Sequence, residues 1–162
     1  PKLAYPAENA TEKDAVQMVE TAGKLIEAMG DAALALISDP SGRCCDNERA
    51  LYVFVFSDDV VLLANSMRHD VIGVSFKEKG PIVNNDQVSE IMVQKAMKEG
   101  SGWTDYPYMN PGSGQISMKH TYVKLFRHAG KNYIVCCGVW HEEPADFVPH
   151  TVPQTESVEY LY

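Results

Sequence analysis

No stretch of the 162-residue chain approaches the roughly 20 consecutive apolar residues that cross a bilayer as a helix, so no membrane span is expected in it. Cationic charge is also scarce: 14 Lys and Arg stand against 22 Asp and Glu, a formal net charge of −8. Such a surface repels phosphate backbones, whose neutralisation by Lys and Arg supplies most non-specific nucleic-acid affinity, and a nucleic-acid partner is therefore excluded. An anionic small ligand is not, because one buried cation and a few oriented donors dominate the local field of a pocket. Signatures of chemistry are missing too. There is no GxSxG, no P-loop and no GxGxxG after a strand, and Gly112-Ser113-Gly114 reads as a hairpin turn. His141-Glu142-Glu143 lacks the second His four residues on that a zinc-protease helix needs, and Pro144 argues against that helix. No catalytic set and no cofactor can be placed, and the chain is read as a non-enzyme.

The four cysteines form two adjacent pairs, Cys44-Cys45 and Cys136-Cys137, which match neither CxxC nor CxxCH, so no metal site is assigned to them. Buried small hydrophobes and disulfide partners are equally good readings. In the second, Cys44 or Cys45 bridges to Cys136 or Cys137, as an oxidising compartment would favour. The chain starts at Pro1 rather than Met, as a processed or trimmed chain would, which allows secretion.

What is present fits one globular domain, with 45% apolar and 22% charged residues. Thr11 to Met29 reads as an amphipathic helix, with Val16, Val19, Ala22, Ile26 and Met29 at three- and four-residue intervals, a Thr11/Asp14 capping box and a closing Gly30. This helix also offers a surface for a homodimer. A shorter helix from Asp31 to Ile37 stops at Asp39-Pro40. From Leu51 the texture turns β-branched and aromatic: Leu51 to Phe56, a turn at Ser57-Asp58-Asp59, then Val60 to Ala64 form a hairpin. Asn65 to Asn85 reads as a loop-rich connection able to lie over one sheet face, and Asp86 to Lys98 as another amphipathic helix. Gly102–Met109, Ile116–Arg127 and Tyr133–Trp140 then form three strands joined by Gly- and Asn-containing turns. Helices segregated from a run of strands predict an α+β fold: a long N-terminal helix packed on a five-stranded antiparallel sheet. Residues 1–140 are taken as the domain and 141–162, with three prolines and no clear period, as an extended C-terminal tail that favours a freestanding binding protein over a receptor fragment.

The most informative region is Gly102-Trp103-Thr104-Asp105-Tyr106-Pro107-Tyr108, followed across a turn by Lys119-His120-Thr121-Tyr122-Val123-Lys124. It supplies what a small carboxylate needs, namely a fixed cation, hydroxyl donors and an apolar wall, although half-buried strand aromatics and solvated lysines explain the same composition. Together with Leu51–Phe56, Val60–Ala64 and Val135-Cys136-Cys137-Gly138-Val139-Trp140, these stretches occur in the order found in the single Cache family, which the chain resembles over about Thr11 to Trp140. That family comprises extracytoplasmic sensor domains of chemoreceptors and sensor kinases, and freestanding exported proteins.

The resemblance implies a PAS-like sheet, a periplasmic or extracellular location, and a short carboxylate such as acetate, pyruvate, lactate or propionate held against the sheet. By position it implies a pocket drawn from Tyr52, Phe54, Trp103, Tyr106, Tyr108, Lys119 and Tyr122. Relatives often carry a His-Pro pair after the second strand where this chain has Asn65-Ser66, and Arg68 stands in for the polar group that pair supplies. Lys119 is the first choice for the cation, with Lys124 and Arg68 in reserve. Strand alternation prevents Lys119 and Tyr122 from sharing one face unless a bulge intervenes. A longin- or roadblock-like protein-interaction module would use the same elements without a pocket, and a small enzyme is the remaining alternative.

Overall fold

The computed structural model describes residues 9–77 and 88–141. Helix α1, Glu12–Met29, begins at the expected place: the Thr11 side chain accepts from the Asp14 backbone N–H, and the Asp14 carboxylate accepts from the Thr11 backbone N–H. It ends at Gly30, whose φ of 59° disfavours a side chain. A 3₁₀ turn at Gly30–Ala32 leads into the short helix α2, Ala33–Ile37.

The strands are β1 Cys45–Asp46, β2 Leu51–Ser57, β3 Leu62–Asn65, β4 Ser101–Met109, β5 Ile116–His128 and β6 Lys131–Trp140, with helix α3, Val88–Glu99, before β4. All pairings are antiparallel, in the order β1-β2-β6-β5-β4, and β3 shares with β1 the edge of β2 that faces away from β6. This is the expected α+β architecture with a PAS-like sheet. Among the described residues the sheet has six strands rather than five, because Cys45–Asp46 pairs with Tyr52 and Leu51. Two residues are too few to show a period in sequence. The start expected for α3 at Asp86 and the tail beyond His141 lie outside the described residues.

β2 is buried on both sides along Leu51–Phe56, as a strand between two covered faces must be. Strand alternation sorts its residues between two cores. On one face Ala15, Val19, Ala22 and Ile26 of α1 pack with Leu51, Val53, Val55, Val135, Cys137 and Phe126. Gly23 allows this close approach: a Cβ there would stand 2.1 Å from Phe126 Cζ. On the other face Tyr52, Phe54, Phe56, Tyr106, Tyr108, Ile134 and Cys136 pack with Phe76 and with Met92 and Ala96 of α3.

The cysteine bridge is corrected by this topology, since all four thiols are free. Val53 pairs with Cys137, and its backbone N–H bonds to the Cys44 carbonyl, so β2 runs between the two cysteine pairs. Across two strand spacings of about 4.8 Å the Cα atoms stand well beyond the ~7 Å limit for a disulfide.

Candidate functional site

β5 carries Lys119 into the second core. Its register partners are Tyr106 on β4 and Trp140 on β6, so one lysine faces aromatic residues from both neighbouring strands. The side chain is fully buried, 0% exposed. Nζ donates to the Tyr52 hydroxyl at 2.9 Å and lies over the rings of Tyr52, Phe54, Tyr108 and Trp140, at 4.2, 4.9, 5.1 and 5.2 Å from their centroids.

Room for the lysine stem comes from Gly138. A Cβ there would sit 2.6 Å from Lys119 Cε and 2.5 Å from Thr121 Oγ1. Thr121, also fully buried, donates to the Tyr106 hydroxyl at 2.9 Å and fixes the floor of the cage. The ring of Tyr108 stacks on that of Trp140 at 5.9 Å and 23°, while Trp140 Nε1 donates to the Ala50 carbonyl.

The electrostatics of this arrangement are unusual for a core. Among the described residues no carboxylate lies within ion-pairing distance of Lys119. Desolvation disfavours its charged form and lowers its pKa to about 7. The aromatic faces around Nζ act in the opposite sense, supplying negative quadrupole where a counter-ion would sit. Proximity to Lys119 favours the thiolates of Cys136 and Cys137, but burial outweighs it and raises both thiols, Cys137 to about 12. They are therefore neutral packing groups rather than counter-ions.

A cleft of about 150 Å³ opens over this cage, lined by Tyr52, Met67, Arg68, Tyr108, Met109 and Pro111. Two of the four rings around Lys119 thus form the cleft wall. Arg68 lines it too, held by Asp70 through bonds of 2.8 and 2.7 Å. The turn before it is set by Asn65, whose Oδ1 accepts the backbone N–H groups of Met67 and Arg68. A recess of about 220 Å³ beside Arg49 and Asn110 and one of about 360 Å³ beside Leu25 and Leu36 border no fully buried cation.

Of the residues expected at the site, Tyr52, Phe54, Tyr106, Tyr108 and Lys119 come together on one face, with Arg68 at the cleft. Trp103 and Tyr122 do not. They pair with each other across β4 and β5 and pack against the helix face, because each is an odd number of residues from its cage neighbour along a regular strand. Lys124 is corrected on the same ground: it faces α1, where Glu20 pairs with it. Trp140, Thr121 and Gly138 join the site without being expected there. Alternation within β5 and β6 puts Thr121 with Lys119 and Gly138 with Trp140, but the β5–β6 register that joins the two sets is not written in either strand alone.

Comparison with known proteins decides the family. A Cache domain profile, dCache_2, matches residues 46–144, more than half of the chain. The chain belongs to the Cache domain family. No curated protein sequence matches it. Solved structures similar to this Cache domain include a methyl-accepting chemotaxis protein from Vibrio parahaemolyticus, at TM-score 0.63 and 11% identity over 80% of this chain and 87% of that one. A periplasmic sensor domain of a chemotaxis protein aligns at TM-score 0.59 and 18% identity, over 80% of this chain and 90% of that one. A Cache chemosensory domain described for its carboxylic acid recognition aligns at TM-score 0.62 and 21% identity, over 82% and 100%. At these identities the likeness speaks for the shared fold of the Cache domain.

Proposed function

We propose that this Cache domain is an extracytoplasmic sensor module that captures a short carboxylate at the cleft above Lys119 and does no chemistry on it. The observation that carries the reading is a lysine at 0% exposure, ringed by aromatic faces, with no carboxylate near it among the described residues. A buried cation is ordinarily paired, and breaking such a pair costs several kcal/mol. A ligand carboxylate is the partner that completes this one. It would take a charge-assisted bond from Nζ and a further one from the Tyr52 or Tyr106 hydroxyl, with the Tyr108 and Trp140 rings against its short alkyl part. Arg68 would approach from the cleft side.

The structural likeness to a Cache domain with carboxylic acid recognition and to a periplasmic sensor domain supports both the ligand class and the location. Binding would change the set of contacts that Lys119 makes to β2, β4 and β6 together, which is a differential interaction of the kind that can shift a sensor between states.

The test is a thermal-shift screen of formate, acetate, propionate, lactate and pyruvate, run on the natural protein and on Lys119→Met. A ligand at about 100 times its Kd stabilises the natural protein by roughly 2.7 kcal/mol, and the shift should vanish in the variant. If none of the acids stabilises the natural protein, or if Lys119→Met responds equally, the reading fails.

A further inference from the structure

On the opposite face of the same strands, Asp105, His120 and His141 bring one ligand atom each to within 4.8 Å of one another. We infer that these three residues form a binding site for a late first-row divalent cation, for which Zn²⁺ is the probe. This inference does not rest on the carboxylate reading.

The placement follows from register. Asp105 and His120 are direct partners across β4 and β5, and His120 is partnered by Val139 on β6. His141 lies two residues beyond Val139, hence on its face, and its backbone N–H bonds to the Met118 carbonyl, which extends the β5–β6 pairing past Trp140. The donors thus stand on two adjacent strands and on the residue directly after a third, which its bond to Met118 ties to β5, a stiffer platform than a loop.

The donor set fits the ion. His120 Nδ1 meets Asp105 Oδ1, and His141 Nε2 lies 3.8 Å from that same oxygen. A proton joins His120 to Asp105 but leaves His141 too far away to bond, whereas an ion held by bonds of ~2.1 Å joins all three. Tetrahedral ligands of such an ion stand about 3.3 Å apart, within a small side-chain adjustment of the spacing here. Two imidazoles and one carboxylate suit Zn²⁺ and its neighbours rather than Ca²⁺ or Mg²⁺.

The surroundings of His120 reinforce this. Its other nitrogen, Nε2, lies 3.1 Å from Glu12 Oε1 at the start of α1, an arrangement that directs the Nδ1 lone pair to the site and is the usual outer support of a metal-bound imidazole. Trp103 stacks on the ring at 4.1 Å and 6°, fixing its plane. Asp105 and His141 are half-exposed, so an ion can enter from solvent.

Calorimetric titration of the untagged 162-residue protein with Zn²⁺ at neutral pH tests the site. One ion per chain should bind, and His120→Ala and His141→Ala should each weaken binding by at least ~10-fold, the lower bound seen even for loss of an outer support. Glu12→Gln should weaken it less, and His69→Ala, remote in the fold, not at all. Ni²⁺ should quench Trp103 fluorescence in the natural protein and not in the His120→Ala/His141→Ala double variant. Near-UV circular dichroism checks that the variants keep their packing. Absence of Zn²⁺ binding, or binding unchanged in the double variant, overturns the inference.

Discussion

The two faces of the sheet are built from the same strands yet have opposite character. Towards α1 the helix itself offers small and aliphatic side chains, with Ala15, Val19 and Ala22 laid against Val53, Val55 and Val135, a glycine where Phe126 needs the space, and the rings of Tyr133, Trp103 and Tyr122 beside them. Away from it the contacts are aromatic and hydroxylated, and they enclose an ammonium group that burial makes expensive to charge. One face is packed as an ordinary core is packed. The other keeps a polar group that a stable core would omit, and such departures concentrate where a protein binds something.

That contrast can be broken in graded ways. The largest effect on binding is expected from Gly138→Ala, whose new Cβ collides with Lys119 Cε and Thr121 Oγ1. Calorimetry with the carboxylate found in the screen should show an affinity loss of at least ~30-fold, the size expected when a charged partner is misplaced at a desolvated site. Retained affinity would mean that the cage tolerates rearrangement and does not define the site.

Gly23→Ala is the matching lesion on the helix face. Its Cβ would stand 2.1 Å from Phe126 Cζ, and over-packing of this kind costs about 1–3 kcal/mol, readable by urea denaturation. Carboxylate affinity should hardly change. A fall in affinity with no loss of stability would erase the distinction between the faces.

The pH dependence comes next. Lys119 is depressed to about 7, so in the free protein it is charged below that pH and neutral above it. A bound carboxylate favours the charged form and raises its pKa, so binding above pH 7 must take up a proton. Affinity for an acid ionised throughout should be flat below about pH 7 and fall as pH rises, approaching tenfold per unit. A flat profile from pH 6 to 9 would mean that Lys119 is not the partner.

The smallest effect is expected from Trp103→Ala and Tyr122→Ala, which touch the helix face only. Each should leave carboxylate affinity within about twofold while lowering stability modestly.

Much of this is legible in the residues themselves. Thr11 and Asp14 announce the start of α1, the run from Leu51 to Phe56 reads as a strand, and the turns bounding β4, β5 and β6 are visible as Gly and Asn clusters. Lys119 is found with the rings that surround it because the aromatic residues and the lysine are neighbours in sequence or lie on the first strand of the hairpin.

The remainder depends on register. Trp103 and Tyr122 stand close to the pocket residues in sequence, although alternation turns them away, and Trp140 meets Lys119 only through the β5–β6 pairing. The Asp105, His120 and His141 cluster is hidden for the same reason, since its members come from β4, β5 and the residue just past β6, and no spacing along the chain links them. The cysteine bridge fails because nothing in the two pairs tells that β2 runs between them.

At the centre of the proposed reading, Lys119 has no carboxylate within ion-pairing distance among the described residues, and a ligand carboxylate would supply one. Nitrogen-15 NMR of the lysine side chains, titrated in the free protein and in saturating acetate or whichever acid the screen returns, measures this directly. One lysine signal, missing from Lys119→Met, should show a pKa near 7 when free and a clearly higher one when bound. A Lys119 that titrates near the ordinary value of about 10.4 in both states, or whose pKa ignores the acid, would contradict it.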